Sequence, residues 1–147
     1  MGTRHQGTAA EIAALNAYIK LQRASESVAG RVHALLPPGL TSTQFGVLEA
    51  LHHIGPLCQG ELAEKLLKSN ANLTLVVANL EKSGFVARER NPSDRRFVTV
   101  RLTDAGQRLI ARLFPRIARQ VARELAALSP AELAELDRLC KRVGLGA

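Results

Sequence analysis

The sequence contains few aromatic and sulfur-containing residues, and this scarcity limits how it can fold. Its 147 residues include no tryptophan, one tyrosine, four phenylalanines, one methionine and two cysteines. A core of this composition consists mainly of leucine, valine, isoleucine and alanine. Cys58 and Cys140 stand far apart without a metal-ligand or redox spacing, which argues against a disulfide-built secreted fold and favours a reducing cytoplasm. Cys140 falls on an apolar helix face and is expected in the core.

Several functional signatures are also missing. No run of about 18 apolar residues is present to span a bilayer, and the first residues lack the apolar core of a signal peptide. The sequence has no glycine-rich phosphate loop, nucleophile elbow, pair of catalytic carboxylates or metal-ligand spacing. We therefore expect a soluble, cytoplasmic protein that is not an enzyme and has no cofactor, metal or membrane partner.

What the sequence has in excess is positive charge. Its 20 Lys and Arg residues against 13 Asp and Glu residues give a formal net charge of +7. This balance favours a polyanionic partner, either nucleic acid or an anionic membrane surface. The excess is concentrated between positions 88 and 101, where only Glu89 and Asp94 oppose a group of arginines, namely Arg88, Arg90, Arg95, Arg96 and Arg101.

Start and stop signals divide the first half of the chain into helices. Thr8 and Thr41 each precede a Glu or Gln three residues later, which is the capping-box spacing. Pro37-Pro38-Gly39 and Gly55-Pro56 are strong stop signals, and Gly84 occupies a typical helix end. The apolar residues between these signals recur with the helical period. The predicted helices cover about 8–36, 41–54, 59–67 and 70–83.

After Gly84 the apolar pattern changes from a helical to an alternating period. Phe85–Arg90 and Phe97–Leu102 are predicted strands, and Asn91-Pro92-Ser93-Asp94 between them is a run of turn-forming residues. Short helices followed by a basic hairpin are typical of a winged helix-turn-helix.

Two more helices are predicted after the hairpin. Thr103 caps a long helix in which Pro115 predicts a kink or a break, and Ser129-Pro130 starts the last helix. The fold class is therefore mainly α with a small β-hairpin. Because the terminal helices carry more apolar surface than a winged-helix core can cover, we expect them to dimerise. The domain prediction is a single domain over 1–147, with dimerisation helices over 8–36 and 104–147 around a winged helix-turn-helix over 40–103.

Residues 41–106 closely resemble the MarR family of transcriptional regulators. The resemblance rests on a leucine-glutamate-lysine helix end before Gly84, an Asp-Arg-Arg at positions 94–96 and a following Leu-Thr-x-x-Gly motif. The matching segments are Leu40-Thr41 with Gln44-Phe45 and Leu48, Glu61-Leu62-Ala63-Glu64-Lys65-Leu66, Leu80-Glu81-Lys82-Ser83-Gly84-Phe85-Val86, Asn91-Pro92-Ser93-Asp94-Arg95-Arg96 and Leu102-Thr103-Asp104-Ala105-Gly106.

The resemblance implies an obligate two-fold dimer that binds a pseudo-palindromic site in double-stranded DNA. It also implies recognition helices in adjacent major grooves and wings in the flanking minor grooves. Most members repress genes and release DNA when a small aromatic or phenolic compound or an oxidant acts on them. For the wing, it implies that Arg96 enters the minor groove, that Asp94 orients the wing through a salt bridge and that Arg95 lies near phosphate.

The 70–83 helix carries the candidate base contacts. Its outward face is rich in small and apolar side chains rather than the lysines and glutamates of a solvated helix. Such a face suits a DNA groove, because apolar groups contact thymine methyls and asparagine pairs with an adenine edge. The predicted base-reading residues are Asn70, Asn72, Thr74 and Leu75. The alternative is that Asn70 and Asn72 only cap the helix.

Charged and polar residues around this helix are candidates for the DNA backbone, namely Lys68, Ser69, Lys82, Arg88 and Arg90. For Arg88, Arg90 and Arg101 a second reading stays open, in which they brace the wing through ion pairs. The arginines of the long helix after the hairpin are expected to form a solvated or ion-paired face.

Three residues are candidates for regulation. His33 and His52 are possible members of an effector pocket, although a surface or packed histidine is the simpler reading. Cys58 occupies a helix cap, where a thiol can be activated, and is a possible oxidant sensor. The leading hypothesis is a sequence-specific repressor released by a small aromatic effector. The alternatives are a winged-helix protein-association module and a thiol-based sensor acting through Cys58.

Overall fold

The structure is a computed structural model that describes residues 2–146. Within that range the chain is mostly helical and contains one small antiparallel sheet. In chain order the elements are α1 Ala9–His33, α2 Ser42–Ile54, β1 Leu57–Cys58, α3 Gln59–Lys65, α4 Asn70–Lys82, β2 Val86–Arg90, β3 Val98–Leu102, α5 Asp104–Glu124 and α6 Pro130–Gly144.

The predicted helix starts are confirmed by their hydrogen bonds. The Thr8 hydroxyl accepts from the backbone N–H of Glu11, and the Glu11 carboxylate accepts from the N–H of Thr8. The same reciprocal pair of bonds starts α2 at Thr41 and α6 at Ser129. At α5 the Thr103 hydroxyl accepts from the N–H of Gly106 at 3.1 Å. The caps depend on residues three positions apart, so local sequence is sufficient to predict them.

The sheet has the strand order β1-β3-β2. The predicted hairpin is confirmed, with Val86 opposite Leu102 and Arg90 opposite Val98. Each strand begins one residue later than predicted. β1 was not predicted, because two residues carry no periodicity and its partners on β3 are far along the chain.

The segment Leu35–Ile117 forms one compact unit with its own core. Its core is apolar and draws on α2, α3, α4, all three strands and the first part of α5. Gly106 lies against the chain here, since a Cβ at this position would overlap the backbone carbonyl oxygen of Phe85. The largest fully buried side chains are Leu48, Leu62, Leu73, Leu80, Ile110, Val47, Val77, Val86 and Val100.

Residues 2–34 and 118–146 belong to a second compact unit. Among its described residues only Val32 is a buried apolar residue, and α6 has no buried residue. Cys140 is exposed, so its predicted core position is wrong for the single chain. An ion pair between Arg31 and Glu124 connects α1 to the end of α5.

Of the two outcomes predicted near Pro115, a kink or a break, the break is wrong. Helix α5 runs continuously from Asp104 to Glu124 with Pro115 inside it. Proline removes one hydrogen-bond donor, and the bonds on either side are sufficient to continue the helix. In the described part of the chain, no helix combines the length and apolar character needed to cross a membrane.

Candidate nucleic-acid interface

Helix α4 has a buried face and an exposed face. Leu73, Val77 and Leu80 are at most 1% exposed and lie on the side that packs against α2 and α3. Leu75 lies on the other side and is 63% exposed. Its exposed neighbours on α4 are uncharged up to the last turn, where Lys82 follows. The helix therefore presents an apolar and amide-bearing surface that the core does not use.

The four predicted base-reading residues are all exposed in the first half of α4. Ser69 is the N-cap, and its hydroxyl accepts from the backbone N–H of Asn72 at 3.1 Å. The alternative that Asn70 or Asn72 caps the helix is therefore wrong. Among residues 2–146 neither asparagine amide group has a side-chain partner, so both are available to a ligand.

Thr74 is more constrained than the sequence suggested. Its hydroxyl donates to the carbonyl oxygen of Asn70 at 2.8 Å and accepts from the Gln59 amide at 2.6 Å. These two bonds leave the methyl group as the contact surface. Gln59 was not predicted as part of this site. The one feature of the sequence that could have indicated its contact with Thr74 was its position at the start of α3.

The tip of the hairpin holds Asp94 and Arg96 together. The Asp94 carboxylate accepts from the Arg96 guanidinium at 2.9 Å (Nε) and 2.7 Å (Nη2), and from the Arg96 backbone N–H at 3.1 Å. These hydrogen bonds hold the pKa of the Asp94 carboxyl below its ordinary value of 3.8. The Arg96 side chain is 85% exposed, and its Nη1 group is outside the pair. The turn thus presents a guanidinium fixed at its base and open at its end.

Two other wing arginines act as braces. Arg88 donates from its backbone N–H and its guanidinium to Glu81 on α4, with a shortest distance of 2.9 Å. Arg101 donates to Glu89 across the hairpin at 3.0 Å. The ion pair with Glu81 supports the bracing interpretation of Arg88, and its contact with the DNA backbone stays a prediction. The bonds from Arg88 fix the hairpin to the end of α4.

Four predicted cations remain available. Each is exposed, and none forms an ion pair within the described residues; they are Lys68, Lys82, Arg90 and Arg95. They lie before α4, at its end, at the end of β2 and at the hairpin tip. Lys68 and Lys82 therefore place unpaired positive charge at the two ends of α4, and Arg90 and Arg95 add the same charge to the hairpin.

The three predicted regulatory residues lie in separate places. His33 is the last residue of α1. His52 lies near the end of α2, where its Nδ1 is 3.1 Å from the Gln107 amide nitrogen and its ring lies near His53 and Phe114. Cys58 is the N-cap of α3 and half-buried, and its N–H donates to Glu61. Their roles remain predictions.

Sequence reasoning missed one cavity in the unit 35–117. Its volume is about 630 Å³, and apolar residues from the segment after α1 and from α5 line it together with Arg112 and Arg116. Both arginines are exposed, and neither has an ion-pair partner in residues 2–146. The sequence predicted a solvated arginine face here. The stop signal Pro37-Pro38, which also lines the cavity, gave no indication of it.

The fold and this surface define a winged helix-turn-helix protein. Two helices joined by a tight turn present α4 outward, and a basic hairpin follows in sequence and is anchored to α4. Comparison with known proteins then gives the family. The sequence profile of the MarR family matches residues 40–98.

The HTH-type transcriptional regulator YkoM of Bacillus subtilis is 35% identical over 133 residues, which cover 90% of this chain and 86% of YkoM. Sco3205, a MarR family transcriptional regulator from Streptomyces coelicolor solved in complex with DNA, has a TM-score of 0.83 and 26% identity, over 97% of this chain and 91% of that one. BpsR of Bordetella bronchiseptica has a TM-score of 0.78 and 26% identity, over 87% of this chain and 98% of that one.

This chain therefore belongs to the MarR family and is a transcriptional regulator of the DNA-binding type.

Proposed function

We propose that two copies of this chain form a homodimer that binds a pseudo-palindromic site in double-stranded DNA and represses transcription there. Helix α4 of each copy lies in a major groove, and each wing lies in the flanking minor groove. The observation that carries the proposal is the exposed, uncharged face of α4 beside unpaired cations. A solvated helix gains nothing from such a face, whereas a groove lined by base edges and methyl groups matches it.

The first half of α4 contacts the bases. The amides of Asn70 and Asn72 are free to pair with an adenine edge, and Leu75 and the Thr74 methyl group contact thymine methyls. The Gln59 bond fixes the Thr74 side chain, so the methyl group is presented in one orientation. Thr74 is thereby positioned before DNA binds, whereas the unpartnered amides of Asn70 and Asn72 become fixed only on the bases.

Phosphate and minor-groove contacts surround the base contacts. Arg96 enters the minor groove with its open end while Asp94 holds its Nε edge. Ser69 uses its oxygen to cap α4, and its hydroxyl hydrogen is directed to a phosphate near the helix N-terminus. The remaining backbone contacts come from the unpaired cations Lys68, Lys82, Arg90 and Arg95.

Dimerisation is supported by the apolar surface of the unit formed by residues 2–34 and 118–146. Leu136, Leu139 and Val143 repeat at helical spacing on α6 and are 38%, 42% and 67% exposed. Tyr18 and Leu21 on α1 are 59% and 42% exposed. A second copy covers these residues and supplies the burial that the single chain lacks.

The cavity beside Arg112 and Arg116 supports release by a small aromatic carboxylate. Its apolar lining suits a ring, and two unpaired guanidinium groups suit an anion. The DNA binding of BpsR is regulated by 6-hydroxynicotinic acid, which is a compound of this class.

Selection of bound sequences from a random duplex pool tests DNA recognition. A palindrome with half-sites about one helical turn apart is the expected product. Enrichment of a single asymmetric site, or of no site, would contradict the proposal. The variant Leu75→Lys is a useful companion, because a changed half-site with retained binding assigns base reading to α4.

Titration with aromatic carboxylates, 6-hydroxynicotinic acid among them, tests the effector. We expect a member of the panel to bind and to lower DNA affinity, and the paired variant Arg112→Gln/Arg116→Gln to lose that response. Arg119→Gln on the same helix is the matched control, because Arg119 does not line the cavity. Equal responses of the wild type and the paired variant would remove the cavity from the mechanism.

A further inference from the structure

The turn between α3 and α4 contains a leucine in an unfavourable backbone conformation. Leu67 has φ +55°, and it is the one non-glycine residue with positive φ in the described chain. The Lys68 N–H donates to the carbonyl of Ala63 at 2.9 Å, and the Leu67 N–H donates to that of Glu64 at 3.3 Å. This pair of bonds is the Schellman motif, whose left-handed position glycine normally occupies. A leucine there carries a steric penalty that glycine avoids.

The leucine side chain gains nothing from the rest of the chain in return. Leu67 is 91% exposed, more than any other large hydrophobic residue in the described chain. Its neighbour Leu66 shows the contrast, because the Leu66 side chain packs on α2 at Gly46. The fold therefore uses one leucine of this pair and leaves the other in solvent. Neither backbone preference nor packing explains an exposed leucine at position 67.

The position of Leu67 relates it to α4. It precedes the N-cap Ser69 by two residues, and exposed Lys65 and Lys68 lie on either side of it in sequence. These lysines favour an anionic partner. An apolar side chain between two cations at the start of the recognition helix matches the DNA surface, where phosphates flank the apolar faces of deoxyribose and thymine methyl groups.

We propose that Leu67 is a DNA-contacting residue, whose side chain packs on an apolar group of the duplex at the margin of the major groove. This inference rests on the proposed function. It means that the free protein gives up stability at position 67 and recovers it as affinity when DNA is bound. Leu67 thereby adds an apolar contact outside α4 to the base contacts within it.

The test compares folding stability with DNA affinity in variants of the full-length chain. Leu67→Gly and Leu67→Asn both suit positive φ and remove the apolar side chain, whereas Leu67→Met keeps an apolar side chain. We expect the first two to raise the unfolding temperature by about 2–4 °C without DNA. We expect the same two variants to weaken binding to the selected site by about tenfold, and Leu67→Met to bind within about twofold of the wild type.

Salt dependence and base analogues separate this contact from the others. Loss of an apolar contact leaves the slope of affinity against salt concentration unchanged, whereas Lys68→Ala lowers it. Replacing each thymine of the site by deoxyuracil removes its methyl group. If one replacement weakens DNA binding by the wild type but not by Leu67→Gly, Leu67 contacts that thymine methyl group. If no replacement does so, Leu67 contacts deoxyribose.

The inference fails if Leu67→Gly binds the site as tightly as the wild type, or if it unfolds at a lower temperature. Its failure is distinct from failure of the proposed function. If the proposed function fails, the wild-type protein itself selects no duplex. If only the role of Leu67 fails, the wild type and Leu67→Gly select the same site and bind it equally.

Discussion

The two compact units of this chain differ in how many of their apolar residues each one buries. The unit Leu35–Ile117 contains all the buried apolar residues of the described chain except Val32. The unit of residues 2–34 and 118–146 instead exposes leucines and a tyrosine at helical spacing. The first unit can therefore be stable through its own core, whereas the second buries its apolar residues only in the dimer that we propose. Substitutions in the two units should therefore have different concentration dependence.

The largest expected effect comes from breaking the partner surface. Leu139→Asp places a charge in the apolar stripe of α6, and we expect a monomer at concentrations where the wild type is a dimer. Affinity for the palindromic site should fall by about 100-fold or more, because one half-site then carries all the contacts. Analytical ultracentrifugation and a DNA titration measure the two effects.

Ala134→Asp is the control for this prediction, since Ala134 lies on the opposite side of α6 and is exposed. It introduces the same charge on the same helix and should remain dimeric. A dimeric Leu139→Asp would show that α6 does not form the interface.

The second-largest expected effect is a loss of stability in the unit Leu35–Ile117. Gly106→Ala forces a Cβ against the carbonyl oxygen of Phe85, so the junction between the wing and α5 must shift. We expect a loss of about 2–3 kcal/mol in the free energy of unfolding, independent of protein concentration. Urea denaturation at two protein concentrations measures it.

Gly60→Ala is the matched control, because a Cβ at that helical position meets no atom within 4 Å. It should leave stability unchanged or raise it by up to about 1 kcal/mol. Equal destabilisation by both substitutions would contradict the close approach at Gly106.

The third effect concerns the wing. Arg96→Ala removes the exposed guanidinium and should weaken DNA binding by about 1–2 kcal/mol while lowering the salt slope. Arg138→Ala is the control, since Arg138 forms a similar exposed pair with Glu135 on α6. Unchanged affinity and slope in Arg96→Ala would remove the wing tip from the DNA interface.

The smallest expected effect is a change in the pKa of the Asp94 carboxyl. Its pKa is lowered by the hydrogen bonds from Arg96, so the pair is intact at and above the ordinary carboxyl pKa of 3.8 and is lost only as the pH falls through the lowered value. NMR titration of the Asp94 carboxyl should give a pKa below 3.8 in the wild type. In Arg96→Ala the pKa should rise toward that ordinary value, and no rise would mean that another group holds the carboxylate.

Local chemistry explains what the sequence could predict. Thr8, Thr41 and Ser129 start their helices through bonds to residues three positions away, so the neighbouring residues were sufficient to predict these helix starts. The hairpin was predictable for the same reason, since its turn joins two alternating segments. The period of α4 also predicted which of its residues are exposed.

Distant contacts explain what the sequence could not predict. β1 depends on Val100 and Thr99 of β3, and the ion pair of Arg88 depends on Glu81 on another element. The leucine at position 67 looked like an ordinary helix residue, because nothing in its neighbours signals a positive φ. The cavity beside Arg112 likewise needs two segments that are separated in sequence.

In the proposed complex, α4 lies in a major groove while the wing lies in the next minor groove outward. DNA cleavage by a tethered iron chelate tests it most directly, with the probe attached to Ala71→Cys or to Ser93→Cys in a chain whose Cys58 and Cys140 are replaced by serine. We predict cuts within each half-site from position 71, and cuts roughly five base pairs farther from the dyad from position 93. Cuts at the same base pairs from both positions, or cuts closer to the dyad from position 93, would contradict the claim.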